Sequence, residues 1–307
     1  MRRLFLWMAG NRWLRDHLPR LWFAPRAVRR FMPGEDAESA LTAGAAYERA
    51  GIVPMYTRLG ENCTVPADAD ATLDHYLGLI DRIAEADSKG ELSVKLTALG
   101  FDLDAESTFA RMERLADKAA ERGTDLWIDM ESSAYAEPTV AFYERLKASH
   151  PNVGLCLQAY LRRTAGDVQR LLPLEPRIRL VKGAYSEKPD VAYQGHHDVD
   201  ANFLALAVEM LQAIAAGRKV RLGLGTHDLR LVEQISEHAA ALGLPRTSFE
   251  VQMLYGIRAR EQRRLAAEGY VVRDLISYGP AWYGWYMRRL AERPANVVFA
   301  LRQVLPG

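Results

Sequence analysis

From about residue 50 onward, short apolar runs alternate with longer stretches in which apolar residues recur at helical spacing. Two of the longer stretches, 71–87 and 108–122, have the i, i+3, i+4 pattern of amphipathic helices. Near-continuous apolar strands that alternate with helices are typical of a parallel sheet covered on its outer face. Eight apolar runs predict strands, and they are 51–60, 91–100, 125–130, 152–160, 177–185, 219–227, 248–256 and 270–279.

Eight strand–helix units in roughly 250 residues match the size of a TIM-type (βα)8 barrel, and we predict this α/β fold. The competing fold is a doubly wound sheet, which a glycine-rich dinucleotide fingerprint would favour. The nearest match to that fingerprint, GLGT at 223–226, lies in the sixth predicted strand instead of opening a helix. The pattern therefore favours the barrel and does not support nicotinamide binding.

The residues before the first predicted strand form a segment of their own. The stretch 33–51 predicts a helix, with acids near its start and Gly51 after its end. The first thirty residues contain eight arginines and one acid, interleaved with aromatic side chains. A mitochondrial transit peptide and a segment with weak affinity for a membrane surface are open alternatives. We predict a retained N-terminal helical arm at 1–50 and a catalytic barrel at 51–307.

The overall composition excludes several classes of protein. Hydrophobic residues make up 49% and charged residues 26% of the 307 positions, which are globular values. With a net charge of +1 and no DNA-binding module, we expect no nucleic-acid partner. Two cysteines predict neither a disulfide framework nor a metal cluster, and no apolar run reaches the ~18 residues of a membrane span. We expect a cytoplasmic protein without a metal, with peripheral attachment at the inner face of the membrane as an open alternative.

Polar side chains gather where the predicted strands end, which is where barrels of this type carry their chemistry. Charged side chains are rarely buried without a partner, so a mouth lined by Lys, Asp and Arg predicts a polar or anionic ligand. Side chains alternate along a strand, so Arg179 and Lys182 can share a face only if the fifth strand bends or bulges. The residues concerned are Glu61, Lys95 (within strand two), Asp129, Glu131, Gln158, Tyr160, Arg179, Lys182, Tyr185, Thr226, His227, Gln252, Tyr255 and Tyr278.

These residues alone allow more than one interpretation. Lys95 or Lys182 could serve only to pair with Asp129, and His227 could be a structural histidine. A lysine in a barrel cleft could also form an imine with a carbonyl substrate, which would make the protein a cofactor-free lyase. A third hypothesis is a non-catalytic basic module that acts through residues 1–30.

Two adjacent arginines, Arg288 and Arg289, lie near the end of the chain in a stretch with helical spacing that is rich in Trp and Tyr. Neighbours on a helix point about 100° apart and do not normally share a partner across a groove. The pair could be a solvated basic face, or two stems packed on aromatic rings with their charged ends in water. It could also be a clamp for a small carboxylate.

Seven motifs decide between these interpretations: SVKLTALG, WIDMES, LQAYLRRT, RLVKGAY, GTHD, FEVQMLYG and WYMRRLAERPANV. In this order, within residues 35–305, they resemble the proline dehydrogenases, both the short bacterial monofunctional enzymes and the proline dehydrogenase domain of proline utilization A. The resemblance implies a distorted (βα)8 barrel that binds FAD non-covalently. It also implies oxidation of L-proline to Δ1-pyrroline-5-carboxylate by hydride transfer from C5 to flavin N5, with electrons passed to a membrane quinone. A separate pyrroline-5-carboxylate dehydrogenase is then expected to consume the product.

The resemblance also implies roles for residues around the substrate. Lys95 and the pair Arg288 and Arg289 would hold the proline carboxylate, to which planar guanidinium groups are well suited. Glu61 matches an acid that pairs with the first arginine of the doublet and acts as a gate over the site. The residues implied to contact the substrate ring are Leu254, Ala184, Tyr185, Tyr278 and Trp285.

A second set of residues is implied to lie against the flavin. Asp129 and Arg179 would be the catalytic residues, with Arg179 near N5, where a positive group stabilises charge on the reduced ring. The other positions that match flavin contacts are Met130, Gln158, Lys182, Gly183, Ala184, Thr226, His227 and Glu292.

The chain departs from the family pattern at three places. Trp285 stands where a tyrosine is usual, residues 57–58 replace a more acidic and apolar pair, and Ser186–Glu187 replaces an aromatic. Because tryptophan is larger than tyrosine and lacks the hydroxyl group, we expect an altered pocket. The substrate therefore stays open between L-proline and a related cyclic or N-alkylated amino acid.

Overall fold

Eight parallel strands form a closed barrel in the order β1 to β8, with β8 paired to β1. This computed structural model describes residues 31–292 together with Asn11, His17 and Val28, and it describes side chains as far as Met287. Each strand lies inside one of the eight predicted apolar runs, so the predicted barrel is confirmed. The strands are β1 Ile52–Arg58, β2 Glu91–Val94, β3 Leu126–Ile128, β4 Val153–Gln158, β5 Arg177–Val181, β6 Arg221–Gly225, β7 Phe249–Leu254 and β8 Val271–Tyr278.

Helices cover the outer face of the barrel, as expected for parallel strands whose residues are almost all buried. The first of them begins after Asp36, whose carboxylate accepts from Ser39 N at 2.7 Å. That helix packs against β1 and β8, and the division into arm and barrel at residue 50 stays a prediction. The described helices are α1 Ala37–Glu48, α2 Pro66–Glu85, α3 Ala105–Glu121, α4 Ala136–Lys147, α5 Thr164–Leu171, α6 His196–Ala215, α7 Leu229–Ala241, α8 Ala259–Ala267 and α9 Trp282–Glu292.

The amino ends of the strands close on charged side chains that pair with one another. Arg221 lies at the centre, 2.7 Å from Glu91, 2.5 Å from Asp125 and 2.8 Å from Glu250. Burial would raise the pKa of Glu250, but Arg273 and Arg221 outweigh it and lower that pKa to about 2. We call this group the floor cluster, and its members are Glu91, Asp125, Arg177, Arg221, Glu250 and Arg273.

The barrel is distorted at the seam between β1 and β2. Only Met55 and Tyr56 of β1 are in register with β2, whereas all seven residues of β1 are in register with β8. The hydroxyl group of Tyr76, from α2, enters the gap that the separated strands leave. It accepts from Arg58 N at 2.9 Å and donates to Ser93 O at 3.3 Å. One side chain therefore replaces part of the hydrogen-bond ladder near the carboxyl ends of these strands.

Candidate active site at the carboxyl ends of the strands

Asp129, immediately after β3, is the centre of a buried polar cluster. Its Oδ1 accepts from Ser93 Oγ at 2.6 Å and from Arg179 at 3.1 Å, and its Oδ2 accepts from Lys95 Nζ at 3.4 Å. Arg179 also donates to Ser93 Oγ at 3.0 Å. We call these four residues the Asp129 cluster. The structure thus brings together three of the predicted site residues and adds Ser93, which the sequence reasoning missed.

The charges of the Asp129 cluster do not balance, because two cations face one carboxylate. Arg179 is 4% exposed, and the side chains of Lys95 and Asp129 are also largely buried. Burial would raise the pKa of Asp129, but Lys95 and Arg179 outweigh it and hold that pKa below its usual value. An ionised carboxylate that faces two cations leaves an excess of positive charge, which is suited to a site that receives an anion.

The glycines of β6 make room for the long side chains that reach the barrel interior. A Cβ on Gly225 would lie 2.6 Å from Val181 Cγ1 and 3.5 Å from Arg179 Cγ, and one on Gly223 would collide with the Gln252 amide. Arg179 also lies over the Trp127 ring, 5.0 Å from its centroid. The GLG sequence is therefore a steric feature of the barrel wall, as its position in the sixth predicted strand indicates.

Two polar atoms in this interior layer are buried with no hydrogen-bond partner in the described part of the chain. They are Arg179 Nε and Gln252 Oε1. Native proteins satisfy nearly all such groups with protein, water or ligand atoms. Both atoms are therefore available to a bound molecule or to water.

Several strand ends differ from the predicted ones. Lys95 follows β2 instead of lying within it, because the chain turns into a 3₁₀ helix at Leu96–Leu99. β5 ends at Val181, so Lys182 and Tyr185 lie beyond the strand and no bend or bulge is needed to place Lys182. Tyr255 likewise follows β7. Apolar runs continue past the ends of strands, so the runs alone do not give the ends.

Lys182 and Lys95 have different partners. Lys182 Nζ lies 2.5 Å from Asp200 on α6 and 3.2 Å from Asp228, which caps α7. Thr226 joins the same group, because its Oγ1 accepts from Asp228 N at 3.1 Å. The alternative in which a lysine pairs with Asp129 therefore describes Lys95 and not Lys182.

The described residues implied to contact flavin lie at the carboxyl ends of β3, β4, β5 and β6. Gln158, 3% exposed, donates to the carbonyl groups of Met130 at 3.4 Å and Glu131 at 3.2 Å, and its Oε1 has no partner among the described residues. Gly183 adopts φ 115° with its Cα against the Tyr160 ring, where no larger residue would fit. Two others are partly buried after their strands: Ala184 and His227.

Glu131 and Glu61 lie on the same side of the mouth. Glu131 accepts from Thr97 N at 3.3 Å and from Thr97 Oγ1 at 2.8 Å. Burial raises the pKa of Glu131, and the charge of the partly buried Glu61 contributes to the rise. Glu131 is thus held by two hydrogen bonds from Thr97, and Glu61 lies close enough for its charge to act on Glu131.

The residues implied to surround the substrate ring are not all directed to the barrel interior. The Tyr278 hydroxyl group lies 2.7 Å from His75 Nε2, so this side chain is directed toward α2. On the opposite face of β8, Arg273 enters the floor cluster, and strand alternation puts Leu275 on the interior face with it. Leu254 ends β7 and is partly buried.

Helix α9 packs on the segment that precedes α1. Trp282 Nε1 donates to Glu35 at 2.8 Å, and the rings of Tyr286 and Phe31 lie 6.0 Å apart. Trp285 is partly buried on the same helix. The predicted residues whose side chains lie outside the described ones are Arg288, Arg289 and Glu292, and the arm at 1–30 falls outside them almost entirely.

Within residues 31–292 and the three isolated described positions, no helix combines the length and apolar character needed to cross a bilayer. No group of three or more His, Cys, Asp or Glu side chains in that same part of the chain could hold a metal ion.

Comparisons with known proteins agree along almost the whole chain. The family model described as proline dehydrogenase matches residues 40–302. Proline dehydrogenase 1 of Bacillus subtilis (strain 168) is 33% identical over 305 residues, which cover 99% of each chain. Proline dehydrogenase of Deinococcus radiodurans is 38% identical over 283 residues, covering 91% of this chain and 90% of that protein.

A solved structure shares the fold. Proline utilization A from Bdellovibrio bacteriovorus superposes with a TM-score of 0.81 and 22% identity, covering 95% of this chain and 36% of that chain. This chain thus spans about a third of the longer protein. At this identity the likeness concerns the fold alone.

Proposed function

Because the chain belongs to the proline dehydrogenase family, we propose that it uses FAD to oxidise L-proline to Δ1-pyrroline-5-carboxylate and passes the electrons to a membrane quinone. The observation that carries the proposal is the match to named proline dehydrogenases over nearly the full length of both chains. The Asp129 cluster supports it, because an excess of buried positive charge suits an amino-acid carboxylate and a reducible ring.

The residues at the mouth fit a bound FAD. Gln158 Oε1 and Arg179 Nε are buried groups that need partners, one an acceptor and the other a donor. Gly183 lets the backbone lie directly against the Tyr160 ring, because a Cβ there would come within 2.2 Å of that ring. Bound FAD would supply the acceptor for a hydride from C5 of the substrate. The residues that we propose to hold it are Met130, Gln158, Arg179, Lys182, Gly183, Ala184, Thr226, His227 and Glu292.

Substrate binding would use the remaining charge at the mouth. We propose that Lys95, Arg288 and Arg289 hold the carboxylate of proline, with Asp129 keeping Lys95 and Arg179 in place. Fixing a planar carboxylate with several donors orients the ring and removes the cost of bringing the reactants together. The residues that we propose to enclose the ring are Leu254, Ala184, Tyr185 and Trp285. Tyr278 lies on the outer face of β8, where its hydroxyl group bonds to His75, so its effect on the substrate would be indirect.

The chain's contribution to chemistry would be placement and exclusion of water. The proline nitrogen must carry a free lone pair as the C5–H bond breaks, because that pair forms the C=N bond of the product. Positioning and desolvation favour this state, so no side chain needs to act as a strong base. Glu61, at the rim, is our candidate for a gate that closes over the substrate. A separate dehydrogenase would then oxidise the product, and the arm at 1–30 would bring the protein to the inner face of the membrane.

A cofactor-free lyase is not favoured by the described contacts. Imine formation needs a neutral lysine amine. Lys95 is paired with Asp129, and Lys182 with Asp200 and Asp228, so each amine is held by a carboxylate in the described structure. Borohydride treatment with carbonyl compounds should therefore leave the mass of the protein unchanged.

The experiment that tests the proposal is an anaerobic titration of the purified protein with L-proline. We expect bound flavin in the visible spectrum, bleached by L-proline and more weakly by N-alkylated and other cyclic amino acids. Lys95→Met and Arg289→Met should keep the flavin but raise the KM for proline more than about tenfold, the loss of one charge-assisted hydrogen bond. Lys147→Met, on the outer helix α4, is the matched control. Protein without flavin, or flavin that proline does not reduce, would refute the proposal.

A further inference from the structure

Asp274, in the middle of β8, is buried without a hydrogen-bond partner. Its side chain is 0% exposed, and neither carboxylate oxygen has a partner in the described part of the chain. It faces Gln262 on α8, and its charge would act on the hydroxyl groups of Tyr47 on α1 and Tyr255 after β7. The positive charge of Arg263 acts on Tyr47. An isolated ionised carboxylate in such a place would cost many kcal/mol, so ionisation is disfavoured.

Gln262 is equally buried, and both hydrogens of its amide are already used. Nε2 donates to Leu254 O at 3.3 Å and to Ile257 O at 3.0 Å. Two backbone carbonyl groups fix the orientation of the amide, because the flipped amide would point its oxygen at both of them. Gln262 Oε1 is consequently the atom left for Asp274, and it too has no partner among the described residues.

Asp274 and Gln262 Oε1 are both hydrogen-bond acceptors, and one added proton would allow a hydrogen bond between them. We propose that Asp274 is held as a neutral carboxylic acid whose O–H donates to Gln262 Oε1, and that this pair positions the turn after β7. A protonated carboxyl group has the one donor that an ionised carboxylate lacks. Burial raises the pKa of Asp274 well above its usual value and outweighs the Gln262 side chain, which lowers that pKa.

The pair fixes the turn because Gln262 joins three parts of the chain. Its Nε2 bonds to the last residue of β7 and to Ile257. In the proposed pair its oxygen accepts from Asp274 on β8. Between these points, Arg258 holds a left-handed conformation with φ 54° and starts α8. A strained turn of this kind persists when neighbouring contacts over-determine it. Leu254 begins the turn, and its placement against substrate rests on the proposed function.

Infrared spectroscopy tests the proton directly. At neutral pH, we expect the carbonyl stretching band of a protonated carboxylic acid, which shifts in heavy water and disappears in Asp274→Asn. The difference spectrum between wild type and variant removes any contribution from other buried acids such as Glu131. If the substitution instead removes the two bands of an ionised carboxylate, the proposal is refuted.

Unfolding by urea at several pH values gives an independent readout. A folded protein that keeps the Asp274 proton while the unfolded chain loses it binds more protons than the unfolded state. Stability contributed by this group therefore falls as the pH rises above the usual aspartate value, and the unfolding constant increases about tenfold per pH unit until the folded group ionises. Asp274→Asn should remove this slope, whereas the exposed control Asp190→Asn should retain it. Equal slopes in wild type and Asp274→Asn would contradict the proposal.

Kinetics test the positioning. Asn can still donate to Gln262 Oε1, whereas Leu cannot, so Asp274→Leu should raise the KM for proline about fivefold more than Asp274→Asn, the equivalent of one neutral hydrogen bond. A similar KM for both variants would remove the positioning role. The infrared and unfolding measurements need no substrate, so failure of the proposed function would leave their outcome intact. They also need no folded Leu variant.

Discussion

The two ends of the barrel use the same kinds of charged residue in different ways. At the amino ends, the floor cluster sets three arginines against three carboxylates, and Arg221 alone contacts Glu91, Asp125 and Glu250. At the carboxyl ends, two described cations, Lys95 and Arg179, both pair with the carboxylate of Asp129. Arginines and carboxylates that neutralise each other stabilise the barrel, whereas a cluster with an excess of positive charge can bind an anionic ligand. Charge balance, more than burial, distinguishes the structural end of this barrel from the end that we propose to be catalytic.

The largest expected effect is at the floor. Arg221→Met would leave Glu91, Asp125 and Glu250 buried with only part of their compensation, and breaking a buried ion network in this way costs about 3–5 kcal/mol. The free energy of unfolding in urea measures this loss. Arg260→Met, on the exposed face of α8, is the matched control and should change stability by less than about 0.5 kcal/mol. If Arg221→Met were as stable as wild type, the floor cluster would not be what stabilises the amino ends of the strands.

The next largest effect is expected at the carboxyl ends of the strands, and it concerns the catalytic rate. Arg179→Met should lower kcat by about 10²–10³-fold, roughly 2.7–4 kcal/mol, because a buried positive group no longer stabilises charge that develops at the site. Steady-state kinetics with proline and an artificial acceptor measure it. Arg179→Lys should recover part of the rate, since it restores a charge without the planar fork. An unchanged kcat in Arg179→Met would mean that this arginine has only a structural role. The two ends of the barrel would then not differ in function.

A smaller effect lies between the ends, on the glycines of β6. A methyl group on Gly225 would lie 2.6 Å from Val181 Cγ1 and 3.1 Å from Leu180 O, so Gly225→Ala should cost about 1–3 kcal/mol of stability through overpacking. Because the same methyl group approaches Arg179 Cγ, kcat should also fall. Gly78→Ala is the control, since a Cβ there meets nothing within 4 Å and the residue lies within α2. That substitution should stabilise the helix by up to about 1 kcal/mol.

The smallest effect concerns pH. The pKa of Asp129 is held below its usual value, so its contribution to stability is present above the unfolded pKa and is lost as the pH falls through the folded one. Asp129→Asn should therefore be less stable than wild type at pH 7, and this difference should narrow in acid below the ordinary value of 3.8. Urea unfolding at pH 7, 5 and 3 measures the difference. A constant difference would mean that Lys95 and Arg179 do not stabilise the ionised form.

Much of the fold could be predicted from the sequence, because parallel strands buried on both faces leave apolar runs that are readable one at a time. The strand ends could not, since the runs continue into turns: Lys95 lies beyond β2 and Lys182 beyond β5. The direction of Tyr278 depends on His75, 203 residues away in sequence, and no local pattern contains that contact. Arg288 and Arg289, predicted as a carboxylate clamp, remain a prediction.

The floor cluster shows the same limit. Its contacts join residues far apart in sequence, such as Glu91 and Arg221, which are separated by 130 positions. Individually, each of these side chains looks like an ordinary charge at the start of a strand. Their role follows only once the barrel has closed and brought the strand ends together.

Tyr76 closes a gap in the barrel wall that a fully laddered barrel would not have. Its single phenol oxygen stands in for strand-to-strand hydrogen bonds between Arg58 N and Ser93 O, so closure of the wall there depends on one side chain. Ser93 is also the residue that bonds Asp129 and Arg179. Removal of that oxygen, as in Tyr76→Phe, would leave two backbone groups without a hydrogen-bond partner and admit solvent directly behind the Asp129 cluster.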